Sequence, residues 1–211
     1  MVQLARFIHS CPYLRVDGTE TTAEFYLSDS RVEQMGYQKP IPSGSLFYIV
    51  RDYYPESEKL FDNLHKNLKW NKVDENPYKL CLTKGERSIH CMGEHGESWE
   101  SNCLSMRDNV DKELGVNYNS ALLNLYDNGH DWIMYHSDRD SKGPIESVAS
   151  ISLGSSRYFY LRNNETRAVI RTEVRSGDMV VMIGVQHSHK HTIRWMPEAG
   201  PRISVTLRKL R

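Results

Sequence analysis

The hexapeptide YHSDRD, residues 135–140, places His136, Asp138 and Asp140 within six positions. Side chains two apart on an extended segment share a face, so His136 and Asp138 can point at one centre. An imidazole and a carboxylate so placed are two thirds of the 2-His-1-carboxylate triad, which holds Fe(II) on one octahedral face and leaves positions open for co-substrate and oxygen. The bland alternative is a solvated polar turn. A third ligand must come from downstream, and QHSHKH (186–191) offers His187, His189 and His191, all on one face if that segment is extended. The 53 residues from Asp138 to His191 leave room for several strands that return the chain to the site.

A second pattern concerns anion recognition. In RISVTLR (202–208), Ile203, Val205 and Leu207 take one strand face while Arg202, Ser204, Thr206 and Arg208 take the other. The two guanidiniums lie about 20 Å apart if the strand is fully extended, which suits a ligand or surface with separated negative charges. An amphipathic edge strand gives the same alternation. In SALLNLY (120–126), Asn124 and Tyr126 likewise share a face.

The elements that must position these residues are mostly short strands. From Asn119 onward SALLNLY, DWIMY, SVASISL, RYFYL, RAVIRTEV, DMVVMI, HTIRW and RISVTLR follow one another, punctuated by DNG (127–129), NNE (163–165) and SGD (176–178). Such spacing predicts an antiparallel double sheet of sandwich or jelly-roll type. The first half mixes helix and loop. SEKLFDNLHKNL (57–68) places Leu60, Phe61, Leu64 and Leu68 on one helical face behind Ser57 as N-cap. A second helix is expected over 106–114, with Ser105 and Asp108 as a capping box and Gly115 closing the end. KPIPSG (39–44) reads as a loop.

The chain has 211 residues and 39% hydrophobic content, enough for one domain with a buried core. It has no run of about 18 apolar residues and no charged-then-apolar leader, so neither a transmembrane segment nor a signal peptide is expected, and an intracellular location is. The four cysteines form no CxxC pair, so neither a disulfide framework nor a zinc ribbon is signalled; Cys91, Cys103, His90 and His95 are close enough in sequence to build a structural zinc site but match no standard spacing. The net charge of zero conceals an asymmetry: residues 157–211 hold eleven Lys or Arg against four acids. Such a segment attracts an anionic partner if its side chains share a face.

These segments together resemble the AlkB family of Fe(II)- and 2-oxoglutarate-dependent dioxygenases. The likeness rests on ordered motifs between Asn124 and Arg208: NLYDNGHDWIMYHSDRD, VASISLG, RYFYLR, SGDMVVMIGVQ, HTI and RISVTLR. It implies a mainly β, α+β fold: a double-stranded β-helix core at 119–211, with an N-terminal helical and lid region at 1–118 packed on it as one structural domain. It implies that His136, Asp138 and His191 bind iron and act in catalysis. His191 is followed by Thr192 and Ile193 as the motif requires, with His189 as the alternative. Asn124 and Tyr126 would hydrogen-bond 2-oxoglutarate, Arg202 would pair with its distal carboxylate, and Ser204 and Arg208 would serve near the keto-acid end. Ser204 stands where the family usually has Asn, and Leu207 where Phe is common. Asp140 would face the substrate or position its neighbours, with Arg162 also on the substrate side. In the lid segment YKLCLTKGERSIHCMGEHGESW (78–99), Tyr78, Arg87, His90, Met92 and Trp99 are candidates for stacking or phosphate contact.

The resemblance further implies Fe(II), 2-oxoglutarate and O2 as cofactor and co-substrates. The implied reaction is oxidative demethylation of N-alkylated bases in DNA or RNA by a monomer away from membranes, releasing formaldehyde, succinate and CO2. Two alternatives stand beside it: a 2-oxoglutarate oxygenase acting on a protein or small molecule, and a non-catalytic jelly-roll binding module.

Overall fold

The computed structural model of the chain describes residues 4–5, 9–27, 45–73 and 85–211. The N-terminal half contributes β1 (Leu4–Ala5), β2 (His9–Leu14), β3 (Glu20–Leu27), β4 (Leu46–Val50), helix α1 (Ser57–Asn67), β5 (Asn71–Lys72), β6 (Gly85–Glu86), β7 (Ser88–Gly93) and helix α2 (Ser101–Leu114). Ten strands follow: β8 (Ser120–Tyr126), β9 (Trp132–His136), β10 (Arg139–Asp140), β11 (Gly143–Pro144), β12 (Ser147–Gly154), β13 (Arg157–Asn163), β14 (Val169–Val174), β15 (Met179–Ile183), β16 (His189–Ile193) and β17 (Arg202–Arg208). The short helix α3 (Val185–Ser188) lies between β15 and β16.

These strands build a larger sheet in the order β2-β3-β4-β15-β12-β17-β8-β7-β5 and a smaller one in the order β1-β14-β13-β16-β9-β6. All their pairings are antiparallel except β1 with β14. Among the described residues two large apolar cores result, beside a small cluster of Ile89, Cys91 and Leu122. One lies between the larger sheet and the helices, where Leu60 and Leu64 of α1 and Met106 and Val110 of α2 meet Leu123, Ile151 and Val205. The other lies between the sheets and includes Phe47, Ile133, Val148, Phe159, Leu161 and Met182.

This layering explains the burial of β17 along its whole length. Ile203, Val205 and Leu207 face the helices, so the alternate residues Arg202, Ser204, Thr206 and Arg208 face the space between the sheets. β17 is a central strand between β12 and β8, which removes the edge-strand alternative.

Several expectations need correction. The segment 1–118 is less helical than expected: its described residues include seven strands, with β4 and β7 inside the larger sheet. The second helix begins at Ser101, five residues early. Its N-cap is Glu100, whose carboxylate accepts from the Cys103 N–H, and the expected Ser105–Asp108 box lies inside the helix. Gly115 does close it, in the left-handed conformation at φ 65°. For α1 the N-cap is Glu56, with no side-chain capping bond. No described helix is long and apolar enough to cross a membrane.

Candidate functional site

A cavity of about 700 Å³ opens between the two sheets. The triad stands at its smaller-sheet wall. His136 ends β9 and His191 sits in β16, and the two are direct partners in the antiparallel register. Their ring centroids are 4.2 Å apart. The register shifts between His191 and Ile193, a bulge that re-aims the end of β9. Asp138 follows two residues later. Its backbone N–H donates to Gln186 Oε1 at 3.0 Å, and its carbonyl accepts from the Ile145 N–H at 3.0 Å. Asp138 Oδ2 lies 3.6 Å from His191 Nε2, and one ligand atom from each of the three residues falls within 4.8 Å of the others.

The electrostatics suit a cation. Asp138 Oδ2 is buried without a hydrogen-bond partner among the described residues. Burial pushes the Asp138 carboxyl up, but the electrostatic attraction of its neighbours His191, His136, Arg208 and Arg87 outweighs it and holds the group below its ordinary value. Burial lowers both imidazoles, His191 to about 3, so both are neutral donors near pH 7. His136 Nδ1 lies 2.9 Å from the Met134 carbonyl, an acceptor, which places the proton on Nδ1 and leaves Nε2 as the ligand. Phe159 stacks on the His191 ring at 5.5 Å and 11°. Two neutral nitrogens and one carboxylate with an unsatisfied oxygen fit a divalent metal such as Fe(II).

The three downstream histidines part company because QHSHKH is not extended throughout. Gly184, at φ 68°, turns the chain from the larger sheet into α3, and only from His189 does it run as a strand of the smaller sheet. His187 is left exposed, 3.2 Å from Glu146. His189 contacts Ser188 Oγ and Asn163 Nδ2. His191 alone of the three joins the cluster, and Cys91, Cys103, His90 and His95 form no such cluster among the described residues.

The larger-sheet wall of the cavity is cationic. Arg202 is 2% exposed, with Tyr126 and Gly154 as its register partners. Its Nη2 donates to Ser152 Oγ at 2.9 Å, while Nε and Nη1 have no partner among the described residues. Burial lowers this guanidinium to about 10. A buried cation with unused donors is costly unless an anion completes it. Asn124, opposite Ser204, receives a 2.7 Å hydrogen bond on Oδ1 from Arg87 Nε and directs Nδ2 to Ser204 Oγ at 3.4 Å. Arg87, Asn124, Tyr126, Arg202 and Arg208 all line the cavity; Ser204 stands behind Asn124 instead. The two arginines of RISVTLR therefore serve one cavity, where a small dicarboxylate would neutralise them.

The substrate-side expectations fare unevenly. Asp140 lines the cavity mouth, but its carboxylate is gripped by Arg211 through two 3.0 Å bonds and accepts from the Lys142 N–H, which holds it down at about 2. Arg162 points away from the cavity, over the Tyr135 ring at 4.0 Å. Arg87 enters the cavity beside Asn124 rather than on a lid. Trp99 is corrected: it packs against the helix-side core with Arg107 over its ring, on the far side of the larger sheet from the cavity. Met92 belongs to that core as well, and His90 is held by the Lys69 carbonyl. Tyr78 lies outside the described residues. Sequence reasoning missed Phe159, Ser152 and Gln186 as supports. The first two stand in RYFYLR and VASISLG, whose inward alternation was a usable signal.

Comparison with known proteins agrees with this geometry. Residues 52–208 match the family model described as the 2OG-Fe(II) oxygenase superfamily. Uncharacterized protein R406 of Acanthamoeba polyphaga mimivirus is 33% identical over 108 residues, 50% of this chain and 56% of that protein. DNA oxidative demethylase ALKBH2 of Homo sapiens is 29% identical over 116 residues, 50% of this chain and 44% of its own. Alpha-ketoglutarate-dependent dioxygenase alkB homolog 3 of Bos taurus is 29% identical over 175 residues, 72% and 61% respectively. The chain thus matches roughly half the length of these relatives. Among solved structures, OsALKBH1 superposes with a TM-score of 0.56 at 12% identity, covering 82% of this chain and 99% of that one. A Pseudomonas putida prolyl-4-hydroxylase superposes with 0.56 at 11%, covering 78% and 92%. At such identities these two likenesses speak for the jelly-roll fold alone.

Proposed function

The chain belongs to the 2OG-Fe(II) oxygenase superfamily and is AlkB-like within it, and from that premise we propose that it oxidatively demethylates N-alkylated bases in nucleic acid. One observation carries the reading: a neutral-His, carboxylate, neutral-His cluster faces a buried, incompletely partnered arginine across a single cavity. In this reading His136, Asp138 and His191 hold Fe(II). Held there with 2-oxoglutarate and O2, Fe(II) would supply oxidising chemistry for hydroxylation of an N-alkyl carbon, with succinate, CO2 and formaldehyde as products.

The protein's own work is positional. The Met134 carbonyl fixes the His136 tautomer, Phe159 fixes the plane of His191, and Gln186 anchors the Asp138 backbone. Arg202 takes the distal carboxylate of 2-oxoglutarate, its Nε and Nη1 supplying donors that the fold leaves unused. Arg87 orients the Asn124 amide so that its oxygen is occupied and its NH2 is turned toward Ser204. Phe159, Met182 and Ile193, from the two facing sheets, give the cavity apolar walls that limit water beside the triad. Asp140, with Arg211, braces the β10–β11 hairpin at the mouth, where the substrate base would enter.

The nucleic-acid substrate is supported by the likeness to ALKBH2, named as a DNA oxidative demethylase, and by the basic C-terminal segment. The test is a mass-spectrometric screen of methylated DNA and RNA oligonucleotides with Fe(II), 2-oxoglutarate and ascorbate. Loss of 14 Da per methyl group, with equimolar formaldehyde and succinate, is the expected result. Turnover of 2-oxoglutarate with no oligonucleotide oxidised would move the substrate to a protein or small molecule. Failure to bind metal at all would leave only a binding module.

A further inference from the structure

The outer face of the smaller sheet carries a pattern that the catalytic cavity does not use. β13 turns Phe159 and Leu161 inward, so Tyr158, Tyr160 and Arg162 face out. Arg171 and Glu173 face out from β14, Lys190 does so from β16, and Arg194 follows at its end. The register sets Tyr160 between Arg171 and Thr192, and Arg162 between Val169 and Lys190. Three guanidiniums lie over rings: Arg171 at 3.6 Å from Tyr158, Arg162 at 4.0 Å from Tyr135 and Arg194 at 5.8 Å from Tyr160. Among the described residues none of Arg162, Arg171, Lys190 and Arg194 forms an ion pair with a carboxylate.

Beside them is a depression of about 710 Å³ that Arg162, Arg194 and Trp195 line, with Glu86 as an acid at its rim. Trp195 is 62% exposed and Met134 43%, large apolar groups left in water amid cations. Met134, Tyr135 and Lys190 line this depression and the triad's cavity alike, so the two adjoin. Cations without protein counter-ions, interleaved with open ring faces, match a chain of phosphates whose bases are unstacked. A duplex hides its base faces and would use the cations alone.

We propose that this sheet face docks the single strand of nucleic acid that flanks the target base, with Arg171, Lys190 and Arg194 on phosphates and Trp195 stacked on a base. The proposal rests on the nucleic-acid reading above and adds the path by which the strand leaves the cavity. The test is fluorescence anisotropy of the full chain with fluorescein-labelled, unmodified dT12 across 50–200 mM salt. Two phosphate contacts on a single strand are worth about 0.7 each in the slope of log K against log salt, so the R171A/R194A double variant should flatten it by about 1.4. Trp195→Ala should weaken binding at least about fivefold, the loss of one stacked base. If the alanine variants melt below wild type, R171K/R194K decides, since it keeps both charges and should keep the slope. Superimposable titrations of wild type and the alanine variants would overturn the docking face, as would wild type that ignores dT12. If wild type still oxidises methylated oligonucleotides in the screen above, the docking face alone falls; if it neither binds nor oxidises them, both readings fall.

Discussion

Arg202→Met separates the cost of a buried charge from its use. The guanidinium is 2% exposed and burial lowers it well below the free group, to about 10. A cation whose pKa falls on folding costs stability at every pH below the folded value, and two to three units correspond to about 3 kcal/mol. Methionine fills a similar volume without that charge and forfeits the Ser152 hydrogen bond, worth about 1 kcal/mol. The metal-free, co-substrate-free variant should therefore be more stable than wild type by about 2 kcal/mol, a rise in Tm of roughly 4–8 °C for a chain of this size. With 2-oxoglutarate the order reverses. Losing two charge-assisted hydrogen bonds at about 1.5–3 kcal/mol each should weaken co-substrate binding by at least about a hundredfold. Circular-dichroism melts of the metal-free protein read the first quantity, and melts with Mn(II) in place of Fe(II), with and without 2-oxoglutarate, read the second. A variant that melts lower without ligand, or is stabilised by 2-oxoglutarate as wild type is, would refute the assignment of Arg202 as an anion clamp poised in an unpaired state.

Other outcomes follow from the same geometry. His191→Ala should abolish Fe(II) binding and the visible charge-transfer band with 2-oxoglutarate under anaerobic conditions, whereas His189→Ala, outside the cluster, should retain both; the reverse pattern would reassign the ligand. Phe159→Leu removes the ring that stacks on His191 and should cost about 10–100-fold in metal affinity, measured by competitive chelator titration. On β3 of the larger sheet, burial pushes the Glu24 carboxyl up, but hydrogen bonds from Arg51 and Tyr26 outweigh it and hold the group low. A depressed carboxyl contributes stability above its unfolded pKa and loses it as pH falls through the folded value. Glu24→Gln should accordingly destabilise by about 1 kcal/mol in urea at pH 7, and by progressively less as the pH falls below the ordinary carboxylate range; a loss that does not change with pH would show that shape, not charge, matters there.

The local chemistry was legible because strand alternation is a local property. HSD put an imidazole and a carboxylate two apart, RISVTLR put two guanidiniums on one side, and SALLNLY paired Asn124 with Tyr126; in the structure all but Ser204 of these expected ligands line one cavity. Helix starts were less legible, since Glu100 caps α2 through a bond that Ser105 imitates in sequence only. The lid expectation over 78–99 was misled by composition. Aromatic and sulfur side chains serve a core as readily as a ligand, and only the pairing of β7 with β8 shows that Met92 and Trp99 face the helices while Arg87 reaches the cavity.

By itself, then, the sequence determined which residue types could form a metal centre and an anion clamp, and that short antiparallel strands would carry them. Only the tertiary structure decided which histidine completes the triad. Gly184 and α3 set where β16 begins, and a β-bulge opposite β16 sets how the end of β9 is aimed. Neither choice is written in local spacing, because each depends on which strand lies alongside. The same holds for Arg202 and Arg208, which the two-residue repeat puts on one side of β17 but which share a cavity only because a second sheet closes over that side.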